Sequence, residues 1–175
     1  MSAPAPMREA GFSLGSNLGD RLAHLRAARA ALAATAGARL LASAPVYETE
    51  PVGVRPEYRH LKFLNTVVIL EAPLDAAAWL ERIHEIEAAL GRVRTADRYA
   101  PREVDVDLLY CGELAVETRD LTVPHPKWAA RRFVVQPLAD VRPALRLPGH
   151  VGTVREALDA LADPPEMVRL LVEEW

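Results

Sequence analysis

The sequence predicts an α+β domain, and two observations carry that prediction. Apolar runs bounded by turn residues alternate with two amphipathic helical patterns, and their order is strand, helix, strand, strand, helix, strand. That order is the split βαβ arrangement of ferredoxin-like domains, an antiparallel sheet covered by helices. With 175 residues, half of them hydrophobic, the chain can bury one sizeable core and is short for two ordinary domains. Residues 1–175 therefore read as a single domain, with 1–8 flexible and 150–175 a C-terminal extension without an assigned role.

The elements follow in order. "REAGFSLG" is a short, mostly apolar run stopping at Gly15 before the polar turn "SNLGD", so it reads as a buried strand and loop. Asp20 suits the N-cap of a helix reaching about Ala36, with Leu22, Leu25, Ala28 and Leu32 on one face and Gly37 as C-terminal cap. "ARLLASAPVYETE" is strand-like but interrupted by Pro45, which suggests an edge position or a bulge. "FLNTVVILEA" is rich in β-branched residues and reads as a central strand. A second helix runs from a cap at Asp75 to Gly91, with Leu80, Ile83, Glu87 and Leu90 along one stripe and Trp79 and Ile86 beside it. "EVDVDLLY" is the next strand, followed by a hairpin around "ELAVETRDLTV", helical turns after Pro126 and a helix near "TVREALDALA".

Charge and cysteine content exclude several classes. A formal net charge of -3 and a pI near 6.0 argue against a protein that works on nucleic-acid backbones or anionic membrane surfaces. Cys111 is the lone cysteine and cannot form an internal disulfide, and "MSAPAPMREA" lacks an apolar h-region, so a cytoplasmic protein is expected; a monomer is a separate expectation. Basic residues are almost all arginine, Lys62 and Lys127 being the only lysines.

Against that background "GRVRTADRYAPREVDVDLLY" stands out. Arg92, Arg94, Arg98 and Arg102 crowd a loop that enters a strand carrying Asp105 and Asp107. Residues two apart in a strand project to one face, so the two carboxylates are held side by side while Val104, Val106 and Leu108 fill the other face. Magnesium takes oxygen ligands, commonly one or two carboxylates together with substrate phosphates, and arginine forks match phosphate oxygens. Taken alone, Asp-x-Asp also suits solvent-facing strand positions, and an arginine loop also suits a solvated surface. No G-x-x-x-x-G-K-[ST] phosphate loop and no kinase-type G-x-G-x-x-G is present.

Five stretches together, "SLGSNLGDR", "YETEPVG", "FLNTVV", "LGRVRTADRYAPREVDVDLLY" and "LTVPHP", resemble 6-hydroxymethyl-7,8-dihydropterin pyrophosphokinases in order and spacing over roughly residues 9 to 147. The resemblance implies the ferredoxin-like fold and transfer of the terminal pyrophosphate of ATP, as co-substrate, to the pterin hydroxymethyl group in folate biosynthesis. It implies two Mg2+ ions on Asp105 and Asp107, with Arg92 and Arg102 sharing the catalytic task. Arg92, Arg94, Arg102, Leu108, Thr122, His125 and Arg131 match nucleotide-side positions. Phe63 and Phe133 match pterin-stacking positions, Asn65 and Thr49 the ring-edge contacts, and Pro51 with Val52 the adjoining loop. The two small molecules are then the expected partners, with neither nucleic acid nor membrane involved.

The chain departs from that pattern in three places. Tyr99 and Ala100 stand where a Trp-Gly pair is usual, and Asp120, with Arg119 before it, stands where an arginine is common. The loop "VGVRPEYRHLK" is longer than typical. Two other readings use the same residues: a ferredoxin-like regulatory module that binds a nucleotide without catalysis, and a metal-dependent phosphohydrolase. The paired stacking residues and Asn65 argue against the second.

Overall fold

The computed structural model describes residues 5–93, 95–97, 99–161 and 168–175. β1 (Arg8–Ser16) leads to α1 (Arg21–Ala33), β2 (Arg39–Ser43), β3 (Val46–Thr49), β4 (Phe63–Ala72), α2 (Ala76–Ala89) and β5 (Asp105–Cys111). A short ribbon of β6 (Val116–Glu117) and β7 (Thr122–Val123) follows, then α3 (Arg132–Val141), α4 (Val154–Asp159) and β8 (Val168–Val172). The main sheet is antiparallel in the order β5-β1-β4-β3-β8, with β2 also on β4. The α+β, ferredoxin-like expectation holds.

Local chemistry explains the boundaries. Asp20 Oδ1 accepts the Ala23 N–H at 3.0 Å and Asp75 Oδ1 the Ala78 N–H at 2.9 Å, so both helices start at the expected caps. α1 stops at Ala33, short of the expected Ala36, because Ala34 and Thr35 already close the last turn and Gly37 reverses the chain at φ 77°. Pro45 divides the third apolar run into β2 and β3.

Two expectations are corrected. Of the edge or bulge expected around Pro45, the edge fails for β3, since residues of the C-terminal extension form β8 and pair along Val46–Thr49, while the bulge holds, the register shifting between Leu40 and Ala42 and between Val46 and Tyr47. Arg8, placed in the flexible start, is the first residue of β1 opposite Ala72.

Both faces of the sheet are covered, which follows from the period-2 alternation of its strands. Phe12, Leu14, Val68 and Leu70 pack with α1 and α2 residues such as Leu25, Leu32 and Trp79. Val67, Ile69 and Leu109 face the other way, against Val135 and Leu138 of α3 and Leu158 of α4. At the end of this second face, short of the apolar packing, lie Ser13, Gly15, Asn65, Asp105 and Asp107.

Candidate active site

Strand register assembles the site. Gly15 in β1 pairs with Asp105 on one side and Asn65 on the other, while Ser13 pairs with Asp107. Directly opposed residues share a face, so Asp105 and Asn65 flank a position that carries no side chain. α3 rises over the same face, and Arg131 and Phe133 at its start complete a cleft of about 570 Å³.

That cleft is lined by Thr49, Val52, Phe63, Asn65, Arg92, Arg102, Asp105, Asp107, His125, Arg131 and Phe133 among the sequence candidates. A second cleft of about 380 Å³ shares Arg92, Asp105, Asp107 and His125 and adds Leu108 and Thr122. Both volumes suit small-molecule sites. Pro51 lines neither cleft, and Arg94 and Arg98 lie outside the described residues. Of the departures, Tyr99 and Ala100 line the first cleft, and Arg119 with Asp120 the second.

The Arg92 guanidinium donates to Asp105 Oδ1 at 2.6 Å and to Glu87, and Arg102 Nη1 donates to Asp105 Oδ2 at 3.3 Å. The Arg102 backbone is fixed independently: its N–H donates to Asn17 Oδ1 at 2.8 Å, and its carbonyl accepts the Asn17 N–H at 3.3 Å. Burial, then the neighbouring charge of Asp105, pushes the Asp107 carboxyl up to about 7, against the pull of Arg131. A group so placed favours a bound cation that would relieve both causes, and two carboxylates from one strand form a hard-oxygen donor pair of the kind magnesium takes.

His125 accepts the Lys127 N–H through Nδ1 at 3.1 Å. Its pKa is lowered by burial, then by the charges of Arg131 and Lys127. The neutral ring, with Nδ1 engaged as acceptor, therefore carries its proton on Nε2. On the opposite side Asn65 Nδ2 donates to Thr49 Oγ1 at 2.7 Å, both residues being buried.

Sequence reasoning missed Ser13, Asn17 and Glu87. The signal for Glu87 was present, because a carboxylate interrupts an otherwise apolar helical stripe. Ser13 and Asn17 lie in the strand and turn of "SLGSNLGDR", so the signal was membership in that stretch of the resemblance, which names no role for either.

A family model described as 7,8-dihydro-6-hydroxymethylpterin-pyrophosphokinase matches residues 11–143. A 2-amino-4-hydroxy-6-hydroxymethyldihydropteridine pyrophosphokinase of Methylorubrum extorquens is 41% identical over 164 residues, 94% of this chain and 99% of that one. The Bacillus subtilis protein of the same description is 39% identical over 130 residues, 74% and 75% of the two chains. Among solved structures, wild-type Plasmodium falciparum HPPK-DHPS with pteroate superposes with a TM-score of 0.70 at 14% identity, over 91% of this chain. This chain spans 43% of that longer one, and the likeness concerns the fold.

Proposed function

The chain belongs to the 7,8-dihydro-6-hydroxymethylpterin-pyrophosphokinase family, and from that premise we infer the reaction and the residues that carry it. It transfers the pyrophosphoryl group of ATP to the hydroxymethyl group of 6-hydroxymethyl-7,8-dihydropterin, a step of folate biosynthesis. The pterin oxygen bonds to the β-phosphorus, the bond from that phosphorus to the α-β bridging oxygen breaks, AMP leaves and the hydroxyl proton is released.

The observation that carries the assignment of residues is the register row Asp105–Gly15–Asn65. It sets a carboxylate and a buried amide on either side of Gly15, whose missing side chain makes room for the Asn65 amide, and the two substrates would meet there. Phe63 and Phe133 would sandwich the flat pterin ring, and Asn65 with Thr49 would fix its polar edge. Val52 would adjoin the ring from the loop, with Pro51 shaping that loop from outside the cleft.

Asp105 and Asp107 would hold magnesium, two ions by the family likeness. Magnesium bound there would neutralise phosphate charge and orient an in-line attack. Arg92, Arg102 and Arg131 would take phosphate oxygens as preorganised donors, and His125 would donate from Nε2. Leu108 and Thr122 would lie against the nucleoside, and Arg94 is assigned to the phosphates by likeness alone. Tyr99, on the loop over the first cleft, would help exclude water that competes for the phosphorus.

No helix among the described residues is long and apolar enough to cross a membrane. We read the chain as one catalytic domain, since both core clusters pack on one sheet, and propose that it acts as a cytoplasmic monomer.

The test is a product assay with ATP, magnesium and the dihydropterin, following AMP and the pterin diphosphate together. Equal yields that require both magnesium and the pterin are expected. ATP binding without AMP would leave only a nucleotide-binding module, and D105A or D107A turning over at nearly the normal rate would remove the metal assignment.

A further inference from the structure

Glu87 is an expensive residue to keep. It is 2% exposed in a stripe of apolar neighbours. It also lies in the last turn of α2, where the helix dipole disfavours a negative charge. A buried ion pair seldom raises stability over a packed apolar replacement, so its presence calls for another account.

Its contacts supply one. Glu87 accepts the Val106 N–H at 2.9 Å. β5 pairs only with β1 among the described strands, so this N–H points off the open edge of the sheet. Val106 is the residue between Asp105 and Asp107, and Glu87 thus fixes the peptide that sets the spacing of both carboxylates. The same Oε1 accepts from Arg92 Nη1, and the Glu87 carbonyl accepts the Arg92 N–H at 3.0 Å. Arg92 is held at both its backbone and its guanidinium.

We propose that Glu87 is a positioning residue for pyrophosphoryl transfer, which holds the Arg92 guanidinium and the Val106 peptide in one working geometry. The inference rests on the reading of Arg92 as a phosphate-side residue. Arg92 is shared between Glu87 and Asp105. A carboxylate engaged with a cation is a poorer anchor for a guanidinium, and Glu87, buried behind the strand, is the anchor that persists. Its amide isostere keeps an oxygen for the Val106 N–H but removes the charge that holds Arg92.

The experiment is a double-mutant cycle with E87Q, R92A and the combined variant. It measures kcat, both KM values, thermal midpoints and the calorimetric affinity for a nonhydrolysable ATP analogue with magnesium. E87Q is expected to lower kcat about 10- to 100-fold, the range typical of residues that orient a direct ligand. It should also weaken the analogue, while the pterin KM stays within about threefold. Added to R92A, E87Q should cost less than about threefold more, because residues acting through one another are not additive.

E87Q within threefold of the wild-type kcat, or an undiminished effect in the R92A background, would overturn the proposal. R92A with unchanged kcat would remove the reading of Arg92 and this inference with it, whereas a slow R92A beside a normal E87Q would remove this inference alone. Should E87Q fail to fold, E87D enters the same cycle. It keeps the charge with a shorter reach and is judged by the same non-additivity with R92A.

Discussion

Asn65 and Thr49 lie on adjacent strands and share a buried hydrogen bond of 2.7 Å, with the amide nitrogen donating to the hydroxyl oxygen. Both side chains line the cleft. The bond uses one of two amide protons, so the rest of the amide can still read the edge of a heterocycle. Asn65→Ala removes that reading and leaves Thr49 without its partner. kcat/KM for the pterin should fall by about 100-fold, with the affinity for a magnesium-nucleotide analogue within about threefold, given the ~1–3 kcal/mol cost of a lost buried polar contact. Comparable losses for both ligands would mean the substitution disturbs the whole cleft.

Gly15 offers a narrower probe of the same place. A Cβ there would lie 2.8 Å from Asn65 Oδ1, closer than side chains pack. The backbone has no positive φ at this position, so Gly15→Ala acts through space and not through strain. The methyl should turn the amide away from the ring edge and intrude between Asn65 and Asp105. Pterin KM should rise by about tenfold or more, while the thermal midpoint moves by less than about 4 °C, the equivalent of ~1 kcal/mol. Unchanged pterin kinetics would show that the placing of the Asn65 amide over Gly15 does not matter to the pterin.

Much of this arrangement was legible before folding. The Asp-x-Asp alternation places both carboxylates on one face through strand geometry alone, and the caps Asp20 and Asp75 announce both helices. What could not be read was register. Nothing local says that Gly15 stands between Asp105 and Asn65, because pairing partners are set by long-range packing. The same holds for the tail, whose edge-strand role depends on a vacant side of β3, and for Glu87, whose buried partners come from the following loop and strand.

The tail makes its own prediction. Trp175 donates from Nε1 to the Ala44 carbonyl at 2.8 Å, and the Arg29 guanidinium lies 4.0 Å from its ring centroid. Arg169 adds an ion pair with Glu48 at 2.8 Å. These contacts fasten β8 in the sheet beside β3, the strand that carries Thr49. Trp175→Ala should lower unfolding free energy by about 2 kcal/mol, from lost apolar burial and one lost hydrogen bond, although the Ala44 carbonyl still accepts from Thr66 Oγ1 at 3.0 Å. Urea unfolding would show it as a lower midpoint at unchanged slope. A change below about 0.5 kcal/mol would mean that the last residue does not hold the strand.

Asp107 sets a pH dependence whose sign is fixed by its environment. Burial and the charge of Asp105 raise its pKa from 3.8 to about 7 in the folded chain. Below the unfolded value both states carry the proton, and the group's full stabilising contribution is present. Between about 4 and 7 the unfolded chain ionises first, so the contribution is lost as pH rises, by at most ~1.4 kcal/mol per unit for one proton. Asp107→Asn cannot ionise, and the difference in stability between wild type and variant reports Asp107 together with its interaction with Asp105. In the presence of a chelator, the wild type should lose stability relative to the variant from pH 4.5 to 7. Magnesium with a nucleotide analogue should then restore the wild type at pH 7.5 and do little for the variant. A flat difference across that range would show that Asp107 is ionised in the free protein throughout, and that neighbouring cations outweigh its burial.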